Sequence, residues 1–234
     1  DMLNLFFPVI SALLIYFASN SKTNRSVLLY SIGAGLCLFL FQWWYGKSGF
    51  SLAYFVVLVL CLIIHQISFP TVLLSSMLFM LCVGPLNFMS GTNGIKSFFQ
   101  TYFVVADAAT GTVINNGNYP ATFPNVLTTI SEADSVPFEE VFHRVLSNTT
   151  LDWIGFLLFF VMAIFRWRKL LPLAPMLALG LMSFQSSNRF IMYLAPFIGI
   201  GLGFLLNLVI ETVFSSIRYY FHNRVTKDAK GKTN

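Results

Sequence analysis

Phe50-Ser51-Leu52-Ala53-Tyr54-Phe55-Val56-Val57-Leu58-Val59-Leu60-Cys61-Leu62-Ile63-Ile64 carries no charged residue, and its reading decides the fold. An uncharged run of this kind approaches the length that crosses the hydrocarbon core of a bilayer. It is one of several. The 234-residue chain is 56% hydrophobic and only 10% charged, with a mean hydropathy of +0.74, a balance outside that of soluble domains.

Working outward from that run, spans are expected at residues 2–19, 27–45, 50–67, 69–86, 151–166, 170–185 and 190–213, about seven in all. The fold class is all-α, a polytopic transmembrane helical bundle. Cys37, Cys61 and Cys82 lie inside apolar runs, where they act as small hydrophobes rather than disulfide or zinc partners. The opening Asp1-Met2-Leu3 lacks a basic n-region and a cleavage site, so the first span does not read as a signal peptide. A start almost inside a hydrophobic run reads as a piece of something longer.

Basic residues orient the bundle. If the first span runs from outside to inside, the cytoplasmic side receives Lys22, Arg25, Arg166, Arg168, Lys169, Arg218, Arg224, Lys227, Lys230 and Lys232. The outer side receives only Lys47, Lys96, Arg144 and Arg189, which is the positive-inside bias. The formal charge of +5 is then an inner-surface feature, and anionic lipid headgroups account for it without nucleic acid. Asp1, Asp107, Glu132, Asp134, Glu139, Glu140 and Asp152 fall outside, so chemistry is expected there.

The organisation follows: residues 1–86 hold four spans, 87–150 form one long external loop, 151–217 hold three spans, and 218–234 are a basic cytoplasmic tail. A loop this long is either functional or a solvated connector. Tyr102, Phe103, Tyr119, Phe123, Phe138 and Phe142 favour a loop that orders over a site. Within it, Gly91-Thr92-Asn93-Gly94 reads as a turn, and Ile95 to Val105 as a short surface helix. Pro137 to Leu146 reads as a helix with Glu139 and Glu140 early and Arg144 late. Glu140 and Arg144 then stand i, i+4, so a local ion pair is one reading of Arg144. Asn148-Thr149-Thr150 is a glycosylation sequon at a span edge and is expected to stay unmodified. Trp43-Trp44-Tyr45 at the end of the second span reads as an interfacial anchor. Pro172 and Pro175 are expected to break the sixth span. Arg189 opens the last span, either as a snorkelling side chain or as a bidentate phosphate ligand.

Thr129-Ile130-Ser131-Glu132 resembles the T-I-x-E motif of the bacterial single-subunit oligosaccharyltransferase family (PglB-type). Other stretches resemble the same family in the same order. Asp1-Met2-Leu3 is similar to the end of its D-x-D motif, and Leu40 to Ser48 to the end of its next helix. Phe138 to Arg144 is similar to the helix after T-I-x-E, and Arg189-Phe190-Ile191-Met192-Tyr193-Leu194-Ala195-Pro196 to R-F-x-x-Y-x-x-P. The family's first spans and its C-terminal domain with W-W-D-Y-G have no counterpart here; Trp43-Trp44-Tyr45-Gly46 lacks the Asp. The connection between the third and fourth spans is about one helical hairpin shorter than in relatives.

The resemblance implies a glycosyltransferase-C-like bundle and a metal-dependent, inverting transfer. An oligosaccharide would pass from a polyprenyl-pyrophosphate to asparagine in N-x-S/T sequons. It assigns Asp1 and Glu132 as catalytic carboxylates and ligands for Mg²⁺ or Mn²⁺, hard ions that take oxygen donors. Thr129, Glu132 and Arg144 would bind the acceptor peptide, and Arg189 the lipid pyrophosphate. Implied partners are the lipid-linked oligosaccharide, a sequon-bearing polypeptide and membrane lipids, with a monomeric protein in the bacterial inner membrane and its active-site loop on the periplasmic side. This chain alone is expected to be inactive. Two other readings stand beside it: another lipid-linked-sugar glycosyltransferase, or a non-catalytic transporter or scaffold.

Overall fold

A computed structural model describes residues 2–45, 49–99, 138–146, 148–184 and 190–231. Among the described residues every regular element is helical, which suits a chain whose backbone polar groups must be satisfied in hydrocarbon. The helices are α1 (Met2–Ser19), α2 (Asn24–Tyr45), α3 (Gly49–Ile64), α4 (Phe69–Val83) and α5 (Pro85–Phe99). After the long loop come α6 (Phe138–His143), α7 (Thr149–Leu170), a 3₁₀ turn (Leu171–Leu173), α8 (Ala174–Met182) and α9 (Ile191–Gly231).

Local chemistry sets the breaks. α3 ends with Gln66 in the left-handed region at φ 56°. The Gln66 N–H donates to the Ile63 carbonyl and the Ile67 N–H to Leu62, the paired bonds of a Schellman stop. Pro70 then starts α4 in its first turn, where its missing N–H costs nothing. Gly84, at φ 93°, closes α4 in a conformation that suits glycine, and Pro85 opens α5. The two segments are bent by 79°.

Close packing comes from glycine. On α2, a Cβ added to Gly35 would lie 3.0 Å from the Phe79 carbonyl oxygen of α4. A Cβ on Gly201 of α9 would collide with the Gly155 carbonyl oxygen of α7, and one on Gly155 would lie 2.8 Å from the Ile198 oxygen. A Cβ added to Gly180 of α8 would lie 3.0 Å from the Leu194 backbone of α9. Small residues that let backbones touch are the usual basis of helix association in lipid. One core of Tyr54, Phe79, Phe159, Met176, Tyr193 and Phe197 joins the two halves of the chain.

Three contacts fix the helix directions. Tyr54, early in α3 and fully buried, donates its hydroxyl to the Pro8 carbonyl of α1 at 3.1 Å. Phe50, at the start of α3, meets the ring of Tyr193, at the start of α9, at 6.3 Å. Gly155 lies early in α7 and meets Ile198 early in α9. The first turns of α1, α3, α7 and α9 therefore gather at one end of the bundle.

The chain is a membrane protein. Asn24–Trp44 and Ile191–Arg218 are long and apolar enough to cross a bilayer, and Phe69–Val83 with Phe88–Lys96 makes a third if the bent pair is one span. Leu29, Ile63, Phe69, Leu81, Leu206 and Phe214 turn outward, as lipid-facing side chains do. Trp43 is 80% exposed at the end of α2, in keeping with an interfacial anchor. Among the described residues the count of about seven spans is not reached on length: Asn4–Ser19 and Gly49–Ile64 fall in the shorter class, about 24 Å each against a core of about 30 Å.

Elsewhere the structure departs from expectation. Gly91-Thr92-Asn93-Gly94 forms no turn and runs through α5, whose later part packs closely on the start of α3: a Cβ on Gly49 would lie 3.2 Å from Ile95 and 3.7 Å from the Gly94 carbonyl carbon. The surface helix expected over 95–105 is the end of α5 as far as Phe99; its remainder lies outside the described residues. The proline break of the sixth span is present, with Pro172 inside the 3₁₀ turn and nine residues left for α8.

Gly201→Val is expected to destabilise the chain by about 3 kcal/mol through overpacking. Gly199→Val and Gly203→Val, where an added Cβ meets nothing within 4 Å, should be nearly neutral. Thermal unfolding in detergent, followed by circular dichroism, separates the two classes.

Candidate functional site

α6 is too short to hold itself, so its position depends on tertiary packing. Val141 and Phe142 are fully buried against Ile191, Leu194 and Ile198 of α9. The Phe142 ring lies 4.5 Å from Trp153 and 5.4 Å from Phe156, both on α7, and 5.4 Å from Phe184. This aromatic group fastens α6 onto the first turns of α7 and α9, the end of the bundle where α1 and α3 also begin.

Arg144 leaves α6 immediately after that anchor. Its guanidinium donates from Nε and Nη2 to one Glu140 oxygen at 3.1 and 2.6 Å. Both side chains are close to half exposed. The i, i+4 ion pair is therefore formed, and the acceptor role implied for Arg144 is not in conflict with it. Asp1, Thr129, Glu132 and Arg189 lie outside the described residues. α1 begins at Met2 and α9 at Ile191, at the same end of the bundle as α6. Among the described residues no group of three or more His, Cys, Asp or Glu is placed to hold a metal; Asp1 and Glu132, the carboxylates implied for Mg²⁺ or Mn²⁺, lie outside them.

Two polar residues have roles that their sequence context did not give. Asn148, the sequon asparagine, is the N-cap of α7: its Oδ1 accepts from the Thr150 N–H at 3.0 Å and the Leu151 N–H at 3.4 Å. The Asn-Thr-Thr stretch before an apolar run was a capping signal. Asp152 was expected on the outer side of the membrane, and it stands in the first turn of α7. There it is fully buried, with Gly155 and Phe159 on the inward stripe of α7, and it interacts with the Leu146 backbone and with His143. Its i, i+3, i+7 register with Gly155 and Phe159 was the signal that it faced inward.

No family model matches the chain. Over 83 residues it is 32% identical to the undecaprenyl-diphosphooligosaccharide–protein glycotransferases of two Campylobacter jejuni strains. That stretch covers 36% of this chain and 12% of the relative, so the chain matches only a small part of the relative's length. The similarity is to a glycosyltransferase that acts on protein.

Asn148→Ala should lower stability by about 1 kcal/mol, whereas Asn148→Asp should retain most of the cap. Because the Arg144–Glu140 pair is solvent-exposed, its double-mutant coupling energy should stay below about 1 kcal/mol. Thermal melts of the four single and double variants check both values.

Proposed function

We propose that the chain is part of an oligosaccharyltransferase that moves an oligosaccharide from polyprenyl-pyrophosphate to asparagine in N-x-S/T sequons. The observation that carries this reading is the shared stretch with a protein glycotransferase, supported by the Thr129-Ile130-Ser131-Glu132 motif. In this reading the helices form a glycosyltransferase-C-like bundle of about seven spans, with residues 87–150 as the outer loop in the periplasm of a bacterial inner membrane.

The difficulty of the reaction lies in the nucleophile, since an amide nitrogen lends its lone pair to the carbonyl. Asp1 and Glu132 would accept hydrogen bonds from the amide N–H groups, which loosens that conjugation and orients the nitrogen toward the sugar carbon. The same carboxylates would hold Mg²⁺ or Mn²⁺, which supplies Lewis-acid stabilisation of the departing pyrophosphate. Arg189 would bind that pyrophosphate through its planar fork of donors. The nitrogen–carbon bond would form as the carbon–oxygen bond to pyrophosphate breaks, with inversion at the sugar carbon, and the amide proton would pass to the released pyrophosphate or to solvent. Thr129 would line the acceptor site, and Arg144 would pair with an acidic residue two positions before the asparagine.

The test uses cells that make a lipid-linked glycan and carry the full-length protein with an acceptor bearing Asp-x-Asn-x-Thr. Intact mass reports glycosylation at matched membrane expression. Glu132→Gln is expected to lower transfer on the order of a hundredfold. Arg144→Gln should lower transfer to Asp-x-Asn-x-Thr while sparing acceptors without the acidic residue. Equal glycosylation by wild type and Glu132→Gln removes Glu132 from the site.

A further inference from the structure

The end of α7 away from α6 carries a feature that the proposed chemistry leaves unused. At Arg166 the backbone leaves helical geometry, with φ −120° and ψ 25°. The chain then reverses through the 3₁₀ turn into α8. This leaves a groove of about 170 Å³ between α7, α8 and α9, lined by Phe159, Ala163, Trp167, Leu171, Leu177 and Phe197 among others. Its wall is almost entirely hydrocarbon and aromatic. From Phe159 to Trp167 it follows α7 for about 12 Å.

Beside Trp167 stand Arg166, Arg168 and Lys169, all exposed. The Arg168 guanidinium carbon lies 5.5 Å from the centre of the Trp167 ring, within cation–π range, so one charge rests on the groove's own wall. Among the described residues none of the three cations is in an ion pair. An apolar slot in a membrane protein takes up hydrocarbon, and any lipid tail satisfies it. The cations add selection, because basic residues at a membrane surface favour anionic headgroups and guanidinium donors match phosphate oxygens.

We propose that this groove binds an acyl chain of a phospholipid with a net anionic headgroup, whose phosphate is held by Arg166, Arg168 and Lys169. The inference is independent of the proposed transferase function, since these residues lie on the last turns of α7 and Arg144 lies beyond its first.

The first measurement is native mass spectrometry of the unmodified chain released from vesicles mixing phosphatidylglycerol with phosphatidylcholine. One phosphatidylglycerol molecule should remain bound in excess of its share, and equal retention of the two lipids overturns the proposal. The second locates the lipid. With Trp43, Trp44 and Trp153 replaced by Phe, Trp167 reports quenching by lipids brominated on their acyl chains. Brominated phosphatidylglycerol should quench at a mole fraction roughly tenfold lower than brominated phosphatidylcholine, a ratio in keeping with several basic residues near the headgroup. The triple change Arg166→Gln, Arg168→Gln and Lys169→Gln should abolish that difference. Ala163→Phe, which fills the groove and keeps the cations, should weaken quenching by the anionic lipid. If Ala163→Phe leaves quenching unchanged, headgroup attraction alone is at work and the groove is not the site. If neither lipid quenches Trp167, another protein segment or a second copy covers the groove and the proposal fails.

Discussion

The contact between Gly155 of α7 and the backbone of α9 at Ile198 and Gly201 is the constraint on which the rest of this half depends. In lipid there is no hydrophobic force to press two helices together, so association rests on the closeness of their backbones. Once α7 and α9 touch at glycine, their early turns stand side by side. Phe159 then packs on Phe197 at 5.0 Å, and the first turns leave a shallow apolar recess that Phe142 fills. A bulkier residue at either glycine would widen the gap and leave α6 with no seat. The position of Arg144 is thus set at a distance by two missing side chains.

The same helix pair explains why α7 has two different ends. Its first turn is capped by Asn148 and buries Asp152 beneath α6. Its last turn bends at Arg166 and spreads three cations outward. Among the described residues several buried polar groups are tied to backbone, as Tyr54 is to Pro8 and Ser31 to Val27, whereas Asn4 Oδ1 and Ser75 Oγ meet no hydrogen-bond partner there.

Much of the fold was legible in the sequence because lipid allows few solutions: uncharged runs become helices, and Gly84-Pro85 and Pro172 break them where they must. The helix carrying Glu140 and Arg144 was also legible, since i, i+4 charges and an early proline are local signals. Less legible was anything decided by packing. Gly91 and Gly94 look like a turn by propensity, yet α5 continues through them where it packs on Gly49 at the start of α3. Span number was less legible for a related reason: apolar content alone does not distinguish a full crossing from a helix of sixteen residues. The inward face of Asp152 lay in its register with Gly155 and Phe159, which the assignment of acids to the outer side of the membrane did not address. Of the candidate site, Arg144 is described, and Asp1, Thr129, Glu132 and Arg189 rest on the resemblance.

The Arg144–Glu140 pair bears on how an arginine so placed could recognise an acceptor at all. A guanidinium already satisfied by a carboxylate is a poor ligand if that bond is strong. Here both partners are almost half exposed, and a pair in that setting contributes less than about 1 kcal/mol. Only one Glu140 oxygen is used, taking both guanidinium donors. Water competes for the remaining capacity on both sides. A carboxylate brought in on a bound peptide, with the loop closing over it, would meet Arg144 in a drier setting where the same contact is stronger. Displacing Glu140 then costs little and gains more. In the proposed reading the local pair would hold the arginine at the end of α6 until a partner arrives, and the ion pair seen here and the recognition of an acidic acceptor residue would be two states of one side chain.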